Sequence, residues 1–193
     1  LTGEINDVCG YTRTNVDESY RFGLELQGSY KPQRNIKFSA ALTLSENKIP
    51  LFTEFIDNYD DPNFVQTQIS YENTDLAFSP NIVGNVGILY LLGKHFTIDW
   101  MTKYVGDQFL DNTSNQNRKI DAFTYSNIAI YYSLENKVCK EISLGIQCNN
   151  IFNTSYESNG YTWGYISGGE RISENFYYPQ AGRNIMVRLL VNI

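Results

Sequence analysis

Odd and even positions divide by polarity through most of this chain. From Asn184 onward, Ile185, Val187, Leu189, Val191 and Ile193 fall on one side, and Asn184, Met186, Arg188, Leu190 and Asn192 on the other. Strand side chains point to opposite faces with period two, so the segment predicts a strand with one apolar and one mostly polar face. The stretch from Val16 to Lys31 divides in the same way. Tyr20, Phe22, Leu24, Leu26 and Tyr30 share one side, while Ser19, Arg21, Gly23, Glu25, Gln27 and Ser29 share the other. A turn at Lys31-Pro32-Gln33-Arg34-Asn35 leads into Ile36, Phe38, Ala40, Leu42 and Leu44, alternating with Lys37, Ser39, Ala41, Thr43 and Ser45. Two consecutive strands so divided predict a hairpin with one oily face. Further strands are expected near 79–91, 96–104, 123–134 and 142–148, carried by Ile82, Val86, Ile88 and Tyr90, by Phe96, Ile98, Trp100 and Tyr104, by Ile128, Ile130, Tyr132 and Leu134, and by Ile142, Leu144, Ile146 and Cys148.

The connections alternate in length. Short turns at 31–35, 92–95 and 135–140 alternate with long polar segments at about 48–74, 107–121 and 153–175. Outer-membrane barrels sort their loops in this way, with short turns on one side of the membrane and long loops on the other. A soluble sandwich has no reason to do so, although Greek-key sandwiches mix loop lengths. At ~3.3 Å per residue the Val16 to Lys31 strand would be on the order of 50 Å long, beyond ordinary globular strands. Tyr30, Phe96 and Tyr132 fall near short turns, and Tyr20, Phe22 and Tyr104 near long-loop ends, as two interfacial girdles would require. The expected fold is all-β, a transmembrane antiparallel β-barrel.

Composition agrees. Aromatic residues make up 15% of the chain, which suits strands, and Asn, Gly, Thr and Ser fill the turns between them. No apolar run is long enough for a transmembrane helix, and a negative mean hydropathy does not count against a barrel, half of whose strand positions face water. With 15 basic against 21 acidic residues, no nucleic-acid surface is expected. The chain starts at Leu1 without Met, basic leader or apolar signal core, and so reads as a processed chain or a fragment. Cys9, Cys139 and Cys148 are expected to be unpaired, with Cys148 on the apolar side of its strand.

Three stretches resemble a known family. Asn149-Asn150-Ile151-Phe152-Asn153 with Tyr156 is similar to a segment near the penultimate strand of TonB-dependent outer-membrane receptors. Tyr178-Pro179-Gln180-Ala181-Gly182-Arg183 is similar to their closing Pro-x-x-Gly-Arg box, and Ser19-Tyr20-Arg21-Phe22-Gly23-Leu24-Glu25 to an upstream strand. Their order and separations cover nearly the whole chain. The resemblance implies a barrel of about 22 strands with an N-terminal plug, of which residues 1–193 would supply about seven C-terminal strands. No plug and no energy-coupling box is found within these residues. Ile193 departs from the terminal aromatic usual in the family. An odd number of antiparallel strands cannot close on itself, so both outer strands require neighbours from elsewhere.

The resemblance also implies a function: uptake across the bacterial outer membrane of an iron chelate, haem, cobalamin or oligosaccharide. The expected partners are the remainder of the barrel, its plug, the TonB energy-coupling complex, membrane lipid and a small-molecule ligand. A passive barrel or adhesin without energy coupling is the alternative, and a soluble carbohydrate-binding sandwich a third class. Arg21, Glu25, Gln27, Lys37, Asp99, Lys103, Gln147 and Arg188 are expected to face the lumen and plug. Loops on rigid scaffolds often carry binding residues. The richest loop holds Tyr161, Trp163, Tyr165, Arg171, Phe176 and Tyr177, and Arg118 and Lys119 could join them in gripping an aromatic or anionic chelate. Asp57, Asp60 and Asp61 lack an EF-hand spacing and read as a solvated acidic loop. His95 is the chain's single histidine, so no Ser/His/Asp set can be assembled at the loop end. No catalytic residue, metal or cofactor is expected.

Overall fold

The computed structural model describes residues 3–6, 10–12, 15–134 and 140–192. Among them no helix occurs. Twelve strands form: β1 Tyr20–Gln33, β2 Ile36–Asn58, β3 Thr67–Asp75, β4 Ile82–Leu92, β5 Phe96–Val105, β6 Gln108–Phe109, β7 Lys119–Ile120, β8 Phe123–Leu134, β9 Glu141–Asn149, β10 Glu157–Ser167, β11 Glu170–Pro179 and β12 Asn184–Asn192. Ten of them make one curled sheet in the form of a half-barrel. Its wall reads β1, β2, β4, β5, β8, β9, β12, each antiparallel to the next. β3 continues the line of β4 along the upper part of β2, so the wall has seven staves.

Register turns the sequence alternation into a surface. Leu26 pairs with Leu42, and Leu42 with Gly84. Ile88 pairs with Trp100, Ile98 with Ile130, Ile130 with Ile146, and Ile146 with Val187. The apolar phase therefore stays in step across all seven staves, and a slip of one residue anywhere would break it. This face is bare: Phe22 is 75% exposed and Val187 68%. Cys148 lies in the same rows between Ile128 and Ile185, with a free thiol. Cys9, Cys139, Ile193 and most of the 135–140 turn lie outside the described residues. Near the short turns Phe96 and Tyr132 pack ring to ring at 4.7 Å, and Tyr30 pairs with Phe38.

The long connections differ from expectation. The segment 48–74 is strand for most of its length, because β2 runs on to Asn58 and pairs there with β3. Buried positions in β2 change parity on the way, from Asn47 and Ile49 to Phe52 and Ile56. The change falls where the ladder lacks a pair, between Ile49↔Thr74 and Leu51↔Glu72, with Pro50 on one strand and Asn73 at φ 51 on the other. Proline has no N–H to give the ladder, and a left-handed residue bends the partner strand. That irregularity hides the strand from a period-two reading. The segment 153–175 is likewise a hairpin for most of its length, β10–β11, turning at Gly168 and Gly169. The segment 107–121 carries the small β6–β7 ladder. The first stave begins at Tyr20 rather than Val16.

Candidate functional site

The three long connections meet at one end of the sheet. The β10–β11 hairpin leaves the wall between β9 and β12, yet its tip reaches β2 past three intervening staves. Tyr165 and Ile166 pair in parallel with Asp57 and Asn58, and the Tyr59 N–H donates to the Ile166 carbonyl at 2.9 Å. Asp60 takes the turn itself, its two carboxylate oxygens accepting the Gly168 and Gly169 N–H groups at 2.8 Å each. Both glycines have positive φ, 67° and 79°, which aims successive amides at one anion. These bonds hold the Asp60 carboxyl below its usual pKa.

Beneath the hairpin a buried charge cluster ties the loops together. Arg118, from the β6–β7 connection, is 2% exposed. Its Nη1 donates to Glu54 of β2 and to Asp111, both at 2.7 Å, and its Nε to the Ser173 hydroxyl of β11 at 2.7 Å. Arg171 of β11 bonds both oxygens of Glu54 at 2.7 Å and the Tyr71 hydroxyl of β3 at 2.8 Å. Burial raises the Tyr71 phenol pKa; the Arg171 bond opposes this and the Glu54 carboxylate adds to it. The hairpin is also held by Asn175 donating to the Asn117 carbonyl and Tyr177 to the Lys119 carbonyl. Lys119 itself pairs with Asp107 at 2.6 Å, which raises its pKa.

Between these elements lies a cavity of about 390 Å³. Tyr161 and Trp163 face it, with Phe52, Glu54, Asp57, Asp111 and Arg118 among its other walls. Tyr161 is backed by Phe176 at 4.8 Å, and Trp163 by Tyr165 at 4.8 Å. Of the residues expected to touch a ligand, Tyr161, Trp163 and Arg118 line this one cavity. Tyr165, Arg171 and Tyr177 instead brace its frame. Glu54, Asp57, Asp111 and Tyr11 were not anticipated at the site. Glu54 meets Arg118 across 64 residues and Tyr11 meets Asp57 across 46, and no local pattern announces such pairs.

Arg21, Glu25, Lys37, Asp99, Lys103, Gln147 and Arg188 all occupy the face opposite the apolar one. Arg21 stands across from Asn47, Glu25 from Thr43, Lys37 and Asp99 from Leu89, Lys103 from Asn85, Gln147 from Ala129 and Arg188 from Gly145. On the same face, below the hairpin, Phe123, Tyr125 and Tyr156 form a stack with spacings of 4.6 and 5.3 Å.

A half-barrel wall with a bare apolar face, a charged opposite face and loops gathered at one end is a piece of a membrane-type β-barrel. The family model described as TonB dependent receptor-like, beta-barrel, matches residues 1–151, and the chain belongs to that family. The family is one of outer-membrane transport receptors rather than enzymes. Among solved structures, the siderophore receptor PiuA from Acinetobacter baumannii is 16% identical with a TM-score of 0.66, over 90% of this chain and 21% of that one. The ferric citrate transporter FecA in its unliganded form is 18% identical with a TM-score of 0.59, over 88% and 23%. The ferric yersiniabactin uptake receptor FyuA from Yersinia pestis is 11% identical with a TM-score of 0.57, over 88% and 23%. At these identities the likeness is one of fold, and this chain spans less than a quarter of each structure's length.

Proposed function

We propose that residues 1–193 form the C-terminal portion of an outer-membrane receptor barrel that captures a scarce ligand at its outer loops and passes it to the periplasm under TonB drive. One observation carries the reading: seven staves keep a single apolar phase while their long connections converge on one cavity. The apolar face meets lipid. The opposite face, with Arg21, Glu25, Lys37, Asp99, Lys103, Gln147 and Arg188, lines a hydrated bore and contacts a plug. The exposed outer edges of β1 and β12 pair with further staves, because unpaired backbone groups cost several kcal/mol each in hydrocarbon. Tyr161, Trp163 and Arg118 belong to the capture site, and Tyr165, Arg171 and Tyr177 hold its geometry. No chemical step is required; energy coupling changes which state holds the ligand.

The test is uptake. Cells producing the full receptor are grown under iron limitation and offered labelled iron chelates and oligosaccharides, with and without a functional TonB. Uptake that collapses on loss of TonB or of the proton gradient is the expected result. Uptake indifferent to both would make the barrel a passive pore.

A further inference from the structure

We propose that the loop cavity takes a ligand without net negative charge, one that presents hydrogen-bond donors and a flat apolar face. The inference rests on the reading of the cavity as the capture site and adds the class of ligand. Its walls and the arginine that braces them carry three carboxylates, Glu54, Asp57 and Asp111, against two guanidiniums, Arg118 and Arg171. Both guanidiniums are engaged. Arg118 Nη1 holds Glu54 and Asp111, and Arg171 Nη2 holds both oxygens of Glu54. An anionic chelate would have to draw one of them away and leave a buried carboxylate unpaired, which is costly. Among the described residues that line the cavity there is no lysine.

The remaining features favour donors and rings. Asp57 accepts from Tyr11 and Gln66, and its carboxylate retains capacity for further donors. Tyr161 and Trp163 are 48% and 38% exposed; Tyr161 stacks on its cross-strand neighbour Phe176 and Trp163 leans on Tyr165. The negative faces of such rings attract C–H groups and cations and repel anions. Arg118 Nη2 is buried against Gly164, where a side chain would otherwise begin, and so offers no open donor to an anion. A ligand that gives donors to Asp57 and lays an uncharged face on the rings fits this wall. Uncharged hydroxamate chelates and oligosaccharides both supply this chemistry.

The experiment measures equilibrium binding to the full receptor, purified in detergent, by calorimetry. The probes are a neutral ferric trihydroxamate, maltoheptaose and the trianionic iron complex of a tris-catechol chelator. At least one uncharged probe is expected to bind about tenfold or more tighter than the trianion, and Trp163→Ala and Tyr161→Ala each to weaken it by about tenfold, as loss of a stacking ring does. Retained heat-modifiable mobility on gels confirms that each variant is a folded barrel. Tighter binding of the trianion, no binding of any probe, or uncharged-probe affinity unmoved by both ring variants would overturn the inference. TonB dependence of uptake is read separately. Trianion preference with TonB-dependent uptake sinks only the ligand class, whereas uptake that ignores TonB sinks the receptor reading.

Discussion

Glu54 accepts four hydrogen bonds, one from Arg118, two from Arg171 and one from Tyr71. Three connections that never meet along the chain are thereby fastened to one carboxylate. Removing one partner of a buried pair strands the other charges, at a cost of about 3–5 kcal/mol. Glu54→Gln should therefore loosen the hairpin while leaving the barrel wall folded. Limited trypsin digestion reads this directly, since cleavage after Arg118 and Arg171 should accelerate sharply. Cleavage at the wild-type rate would mean that Glu54 is not the hub. Gly164 tests the same cluster by steric means. A methyl group there would sit 2.5 Å from Arg118 Nη2, so the guanidinium must shift off Ser173, Glu54 or Asp111. Gly164→Ala should cost about 1–3 kcal/mol, as overpacking does, and raise trypsin sensitivity at Arg118. None of this was legible in the sequence. Arg118 and Arg171 stood out as loop cations, but an ion pair across 64 or 117 residues leaves no periodic trace, and their engagement with Glu54 is visible only once β2 is extended.

At the scale of elements, the hairpin is fixed to β2 by a short parallel ladder and by Asp60. Backbone N–H groups of Gly169 and Gly168 favour the ionised carboxylate, so its pKa in the seated hairpin lies below the ordinary 3.8. The stabilisation from this contact is complete above that ordinary value and vanishes as pH falls through the lowered one. Asp60 is fully exposed, so the contact is a latch rather than a foundation. The amide proton shifts of Gly168 and Gly169 should titrate together at a pH below 3.8, and Asp60→Asn should abolish that titration. Shifts that stay flat through the range would detach the hairpin from Asp60. Which elements were readable follows from their regularity. The staves 36–44, 96–105 and 184–192 keep one phase from end to end, and the sequence reveals them; the stave 82–92 is less cleanly divided, with Val83 and Leu89 on its other face. Beyond Ile49 the phase of β2 breaks at Pro50, and the polar Asp57 and Asn58 at its end look like loop although both are paired strand. In β10 the alternation of Tyr161, Trp163 and Tyr165 was present all along. Strand and aromatic-rich loop look alike in sequence until a partner strand is known.

For the whole molecule, the governing asymmetry is between the two faces of the wall. Ile146 and Gln147 are adjacent in β9, yet Ile146 stands between Ile130 and Val187 while Gln147 stands between Ala129 and Met186. If the first face meets hydrocarbon and the second a hydrated bore, one charge should behave in opposite ways at these two neighbours. Ile146→Arg places a guanidinium in lipid, at a cost of about 2–4 kcal/mol near the bilayer midplane, falling towards zero at the interfaces. Gln147→Arg places it in water, beside a face already carrying Asp99, Lys103 and Arg188, and should cost less than about 0.5 kcal/mol, as surface changes do. Denaturant unfolding of the full receptor in lipid vesicles measures both on one scale. Equal penalties at the two positions would mean that both faces see the same medium, and neither a soluble sandwich nor a fully immersed sheet would then need a bore. A large penalty at Ile146 alone separates the faces. It would also assign the row Ile130, Ile98, Tyr90 and Ile36 to the same hydrocarbon layer, because register carries the medium seen by one residue across every stave that pairs with it.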